Sequence, residues 1–225
     1  MKIVKPWVEL SEIDGIKIMK NLERAAKHCY RTEGNIKENS YDHFLRNCIN
    51  RGHESVLEHE KVSIRICCDV GAYKDITRHR IASFSIESTR YCNYSKDKFG
   101  NQISFIEPCN IEDESLYTAW KNCMQNIENT YNQMASQGAT PDQLRLLLPH
   151  SAAGELTMTA NIREWRHIFS LRADKHAHPS IQQFMIPLLL YFKKQMPALF
   201  DEVPYNEEFD SKKYAEVRIV SESNT

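Results

Sequence analysis

Arg78-His79-Arg80-Ile81-Ala82-Ser83-Phe84-Ser85-Ile86-Glu87-Ser88-Thr89-Arg90-Tyr91 packs three arginines, one histidine and three serines into fourteen residues. A guanidinium stays charged at any working pH and offers a planar fork of donors matched to phosphate and carboxylate, so this density calls for an anionic partner. An isolated basic triplet reads as a solvated turn. Here the hydroxyls of Ser83, Ser85 and Ser88 and the carboxylate of Glu87 add acceptors and neutral donors suited to a polar ligand. The flanks say how the stretch is held. Upstream, Val62, Ile64, Ile66 and Cys68 alternate with Lys61, Ser63, Arg65 and Cys67, which predicts a half-buried strand over residues 61 to 70. Asp69 then caps a short helix ending near Thr77. The basic triplet therefore falls at a helix end, and residues 81 to 91 are expected as a loop presented by a rigid scaffold.

Working outward, Ile3, Val4, Trp7, Val8 and Leu10 predict an opening strand, and Pro6 within it suits an edge. Asp14 can cap a helix reaching residue 30, with Ile16, Met19, Leu22, Ala26 and Cys29 on one face; Ser40 looks like the cap of another that stops at Gly52. Residues 93 to 100 read as polar loop and 103 to 106 as a short strand. A long helix is expected over 112 to 136, with Leu116, Trp120, Cys123, Ile127, Tyr131 and Met134 as its core stripe. Thr140-Pro141 starts a short helix, and 155 to 161 reads as a strand. A charged helix over 161 to 172 sets Arg163 and His167 on one face. The last helix, 179 to 196, is so apolar that it suits a buried or oligomeric position, and the tail after Val203 looks loosely held. These elements predict an α+β fold: one domain over residues 1 to 225, with a central mixed or antiparallel sheet packed with long helices.

The chain of 225 residues is near neutral, with 29 Lys and Arg against 30 Asp and Glu, so the arginine cluster does not belong to a broad basic face for nucleic acid. The seven cysteines are odd in number and scattered, with no CxxC pair and no apolar leader ahead of them, which leads us to expect a reduced, cytoplasmic protein. The longest apolar run, residues 184 to 192, is far short of the roughly 20 residues of a membrane span, so no membrane partner is expected. His53-Glu54-Ser55-Val56-Leu57-Glu58-His59 tempts a zinc reading, but its histidines are six apart after a helix stop rather than four apart on one helix, and no metal is expected. With only seven glycines and no G-x-G-x-x-G turn, a Rossmann nucleotide domain is excluded.

Arg78-His79-Arg80, seven residues, then Ser88 and Arg90-Tyr91 resembles the signature of the flavin-dependent thymidylate synthases. The His53-x-Ser55-x-x-Glu58-His59 stretch resembles the segment that precedes that signature in the family. Residues 144 to 149, Asn161-Ile162-Arg163-Glu164-Trp165-Arg166-His167 and residues 171 to 178 follow in the family order, so the resemblance covers about residues 52 to 183. It implies a homotetramer with FAD held where subunits meet, and reductive methylation of dUMP to dTMP with methylenetetrahydrofolate as carbon donor and NADPH as reductant. By motif, Ser55, Arg78, His79, Arg80, Asn161, Arg163 and His167 are the expected flavin contacts. Glu87, Ser88, Arg90, Arg145 and Arg172 are the expected nucleotide contacts, Arg172 also as the catalytic residue.

Some positions depart from the family pattern. Ser85-Ile86 stands where members often carry Asn-Glu, Lys74-Asp75 where they carry Arg-Gln, and residues 177 to 181 replace Ala-Gln-x-Glu-Ile. Whether Glu87 takes the place of the usual glutamate, and whether Asp75 and His53 take part, is left open by the motifs. Two rivals remain: a single-stranded nucleic-acid binder that stacks bases on Phe84, Tyr91 and Tyr94, and a flavin reductase without methyl transfer.

Overall fold

The computed structural model describes residues 1–29, 31–92, 94 and 100–220. Most of the predicted loop over 93 to 100 lies outside them. The central sheet is built on β3 (Lys61–Asp69) and β6 (Ala153–Asn161), which pair antiparallel over their whole length, from Lys61 opposite Asn161 to Asp69 opposite Ala153. β4 (Ala82–Ile86) pairs antiparallel with β6 on one side. β2 (Trp7–Ser11) pairs antiparallel with β3 on the other and parallel with β7 (Glu216–Val220), giving the order β4-β6-β3-β2-β7. A separate parallel pair joins β1 (Lys2–Val4) to β5 (Ser104–Ile106). The fold is thus α+β around a mixed sheet.

Period-two patterning explains which face is covered. Val62, Ile64, Ile66, Leu156, Met158 and Ala160 are buried on one side, while Ser63, Arg65 and Thr157 on the other remain exposed. The buried side carries α1 (Gly15–His28), α2 (Ser40–Asn50), α6 (Ile162–Arg172) and α7 (Pro179–Gln195) on one continuous core. Trp165 and Phe169 of α6 meet Phe192 of α7 with ring centroids 5.2 to 5.5 Å apart, and Trp165 Nε1 donates to Val62 O at 3.1 Å. Such aromatic pairs add about 0.5–1.5 kcal/mol each beyond area burial. They fix α6, the helix that bears most of the polar residues of interest, against the sheet.

Local signals held at several boundaries. Asp14 accepts from Lys17 N at 2.9 Å and Asp69 from Ala72 N at 2.8 Å, capping α1 and α3 (Val70–Ile76). Gly52, at φ 71°, turns the chain after α2. Thr140 and Pro141 open α5 (Pro141–Leu144). At α2 the residue before the helix is Asn39, left-handed at φ 61°, and the Ser40 hydroxyl instead donates to Glu23 Oε1 at 2.7 Å.

Five expectations are corrected or narrowed. Residues 82 to 86 form β4 rather than loop, with Ala82 and Phe84 packed against the core and Ser83 and Ser85 exposed. The opening segment is two strands rather than one: Pro6 separates β1, an edge of the two-stranded pair, from β2, which lies between β3 and β7. α4 (Glu114–Ser136) buries Met124, Glu128 and Tyr131 on a second cluster with Ile103, Phe105 and Leu144; Trp120, Ile127 and Met134 of the expected stripe pack against it half-buried, while Leu116 and Cys123 are exposed. Residues 204 to 220 are held rather than loose, because β7 completes the sheet and Ala215 is buried, while the rest of the expected loose tail lies outside the described residues. Finally, α7 spends its apolar surface inside the chain, with Phe184, Met185, Leu188 and Leu189 fully buried, so its composition requires no partner. Among the described residues no helix is long and apolar enough to cross a membrane.

Candidate functional site

Three segments converge beside the C-terminal end of β6. Asn161 ends that strand and caps α6, its Oδ1 accepting from Glu164 N at 2.8 Å. The turn between α3 and β4 supplies Arg78, His79 and Arg80, and the 3-10 turn Glu54–His59 supplies carboxylates. Together they enclose a cleft of about 1020 Å³ whose wall includes Arg78, Arg80, Asn161, Arg163 and His167. Six of the seven predicted flavin contacts therefore meet here, His79 among them. Ser55 is exposed on the 3-10 turn, and its neighbours Glu54 and Glu58 form the wall instead.

Charge in the cleft is only partly balanced. Arg163 Nη1 donates to Glu58 Oε1 at 2.6 Å, a contact that raises the Arg163 pKa further, and its Nε lies 3.6 Å from Glu54 Oε2. Arg166, which the sequence reading passed over, reaches Glu202 at 2.7 Å and also Leu199 O, yet its Nε is buried with no hydrogen-bond partner among the described residues. Arg78 and Arg80 are exposed and make no ion pair among the described residues. These donors fit a polyanionic ligand: an orphaned buried donor and two unpaired guanidiniums beside the start of α6, where helix N–H groups point outward.

His79 is placed differently from its neighbours. It is buried at 5% exposure, and Arg172 Nε donates to its Nε2 at 3.0 Å. Arg172 Nη2 donates to Asp75 O at 2.8 Å, which brings Asp75 into the site through its backbone. Arg172 thus reaches across to the α3 turn and is not spent on the carbonyls of its own helix. Burial, the Arg172 guanidinium and His167 push the His79 imidazole down to about 4. Glu164, also buried, lies 3.3 Å from His79 Nδ1, and burial pushes its carboxyl up. His79, Glu164 and His167 offer ligand atoms within 4.8 Å of one another, as a metal trio would. Against that reading, His79 is already engaged by Arg172, and the surrounding arginines repel a cation.

A stability prediction follows from the folded His79 pKa lying below the ordinary value near 6.5. Between those values the unfolded chain binds a proton that the folded chain refuses, so acidification favours unfolding. The groups facing the imidazole are Arg172, His167 and Glu164. Denaturant unfolding between about pH 7 and pH 5 should show the parent losing stability as pH falls and His79→Gln losing less over the same window. Parallel curves would mean that His79 titrates normally.

The predicted nucleotide contacts do not join this cleft within one chain. β4 runs away from the basic turn, separating Arg80 from Glu87 by roughly 20 Å at a strand's rise of about 3.3 Å per residue. Glu87 accepts from Tyr94 Oη at 3.1 Å and lines a different cavity, of about 930 Å³, with Trp7 and Cys67. Arg90 Nε pairs with Asp142 Oδ1 at 3.2 Å, tying the half-buried Ser88 and its loop to α5 and the exposed Arg145 beyond it. Arg172 alone of the nucleotide set stands beside the first cleft.

The family model described as thymidylate synthase complementing protein matches residues 16–198. The chain is 31% identical to the flavin-dependent thymidylate synthase of Pyrococcus furiosus over 151 residues, 66% of this chain and 61% of that protein. It is 28% identical to the protein of the same name from Geobacter sulfurreducens over 184 residues, 78% of each, and 25% identical to that of Thermotoga neapolitana over 198 residues, 88% of this chain and 90% of that one. The chain thus spans 61% of the length of the Pyrococcus relative and most of the other two. The matched region contains the basic turn, β6, α6 and the arginine-lined cleft between them, and on that extent the chain belongs to the thymidylate synthase complementing protein family.

Proposed function

We propose that the chain is an FAD-dependent thymidylate synthase, converting dUMP to dTMP with 5,10-methylenetetrahydrofolate as carbon donor and NADPH as reductant. The observation that carries the reading is the convergence of Arg78, Arg80, Arg163, Asn161 and His167 on one cleft at the start of α6. FAD pyrophosphate, dUMP phosphate and the folate glutamate are all anions, and guanidinium forks with a helix N-terminus are the groups that bind them without a glycine-rich turn. A sheet ordered β4-β6-β3-β2-β7 with mainly antiparallel pairing supports a non-Rossmann mode of binding.

In this reading Arg78, Arg80, Asn161, Arg163 and His167 hold FAD, with His79 acting from behind and Ser55 outside the cleft wall. The bound flavin supplies the hydride taken from NADPH. Arg172, fixed by His79 and Asp75 O, holds positive charge against the uracil edge and so favours the electron distribution that makes the ring attack carbon. Glu87, Ser88, Arg90 and Arg145 hold dUMP. Their separation from the first cleft in one chain supports a homotetramer in which one subunit brings the nucleotide set to another's Arg172.

The test is transfer of label from the methylene carbon of the folate to dUMP in the presence of FAD and NADPH. Labelled dTMP is expected. NADPH oxidation without label would favour the reductase, and salt-sensitive oligonucleotide binding with neither reaction would favour the nucleic-acid binder.

A further inference from the structure

Glu164 occupies the third position of α6, where a glutamate commonly turns back to the N–H of the capping residue. It does not do so here, since Asn161 belongs to the β3–β6 ladder and the Glu164 contact to the cap runs from its own N–H to Asn161 Oδ1. Its side chain is turned inward at the cleft wall, 8% exposed, with Oε1 3.3 Å from His79 Nδ1. Burying a carboxylate costs several kcal/mol in typical cases unless a partner compensates, so the orientation needs a reason.

Arg172 supplies it. An arginine has no acceptor, so the Nε–H that meets His79 Nε2 at 3.0 Å requires a lone pair on that nitrogen. In a neutral imidazole the single proton must then sit on Nδ1, the nitrogen that faces Glu164. With the other tautomer two N–H groups would oppose each other and Arg172 would lose one of its two anchors. We propose that Glu164 is a positioning residue: by attracting the Nδ1 proton it holds His79 in the tautomer that accepts from Arg172, and so fixes the guanidinium plane. The assignment deepens the proposed function, resting on it for the role of Arg172 but not for the Arg172–His79 hydrogen bond or the Glu164–His79 approach.

The neutral state suits the device, since a protonated His79 would lose its acceptor, and the imidazole is held down by burial and by Arg172 itself. Glutamine keeps a carbonyl acceptor in the same place, whereas leucine keeps volume without one.

Nitrogen NMR of the flavin-loaded enzyme, with ring nitrogens labelled, reads the tautomer directly. In the parent, the His79 proton is expected on Nδ1 and the Arg172 Nε–H signal protected from exchange. Glu164→Leu should mix the tautomers, expose the Arg172 signal and cut kcat for dTMP by roughly tenfold to a hundredfold with flavin still bound, as expected for a misplaced catalytic group. Glu164→Gln should keep the parent tautomer and lose less than about threefold in kcat, as expected where the acceptor geometry survives. A parent proton on Nε2, or equal turnover in the leucine and glutamine variants, overturns the proposal. Should the parent form no dTMP, the functional reading fails while the NMR still decides the Glu164 assignment.

Discussion

Replacing Arg172 by alanine is expected to cut dTMP formation by roughly a hundredfold or more while leaving bound FAD and NADPH oxidation in place. Uracil resists attack by its carbon until charge is drawn to its N3 and carbonyl edge, and a fixed cation beside the ring favours that form. In the proposed function Arg172 is that cation, and its fixity rests on one nitrogen held by His79 at 3.0 Å and another by Asp75 O at 2.8 Å. A helix-capping arginine would instead serve the last carbonyls of α6, and its loss would cost stability of about 1 kcal/mol and spare turnover. Arg172→Lys should be nearly as impaired, because an ammonium keeps the charge but not the planar two-anchor geometry. Steady-state dTMP assays beside a melting curve separate the outcomes. A variant that makes dTMP at the parent rate and only melts earlier would return Arg172 to a structural role.

Mixed oligomers should show the second large effect. Arg145→Ala and Arg172→Ala subunits, each nearly inactive alone, are expected to regain about a quarter of parent activity when assembled together, since random pairing gives that fraction of sites one intact contribution from each chain. The expectation rests on β4, which carries Glu87, Ser88 and Arg90 away from the Arg172 cleft within a chain. Co-expression with two different tags, followed by tandem purification and a dTMP assay, measures it. Activity no higher than the mean of the two variants would place both arginines of each site in one chain.

Much of the fold could be read from local chemistry. The alternation in β3, the Asp14 and Asp69 caps and the Thr140-Pro141 start each depend on neighbours in sequence, and each stands. β4 was hidden because its exposed serines invited a ligand reading, although Ala82, Phe84 and Ile86 carry the period of two. The edge placement of β2 failed because the covering strand, β7, lies some two hundred residues downstream. The stripe on α4 was right in Trp120, Ile127, Tyr131 and Met134 and wrong in Leu116 and Cys123: helical spacing shows that a face exists, while the small second core chooses which turns of it to cover.

The site divides along the same line. Arg78, Arg80, Asn161, Arg163 and His167 belong to motifs and meet in the cleft. His79, expected beside its flanking arginines as a flavin contact, is turned inward. The carboxylates that matter were given no role of their own: Glu54 and Glu58 entered only with a histidine motif, Glu164 only within the α6 motif, and Glu202 not at all. Their partners, Arg163, Arg166 and His79, come from distant segments. One signal was available: Glu164 and His167 are three apart on a helix, hence on one face, and a buried carboxylate beside a histidine seeks a proton.

The most direct measurement is the visible spectrum of the protein after incubation with FAD and gel filtration, followed without oxygen through addition of NADPH and then of dUMP and methylenetetrahydrofolate. A retained yellow chromophore is expected, bleached by NADPH and restored only when both substrates are present, with about one dTMP formed for each flavin reoxidised. A preparation that stays colourless, or whose colour returns with no dTMP formed, would contradict the account.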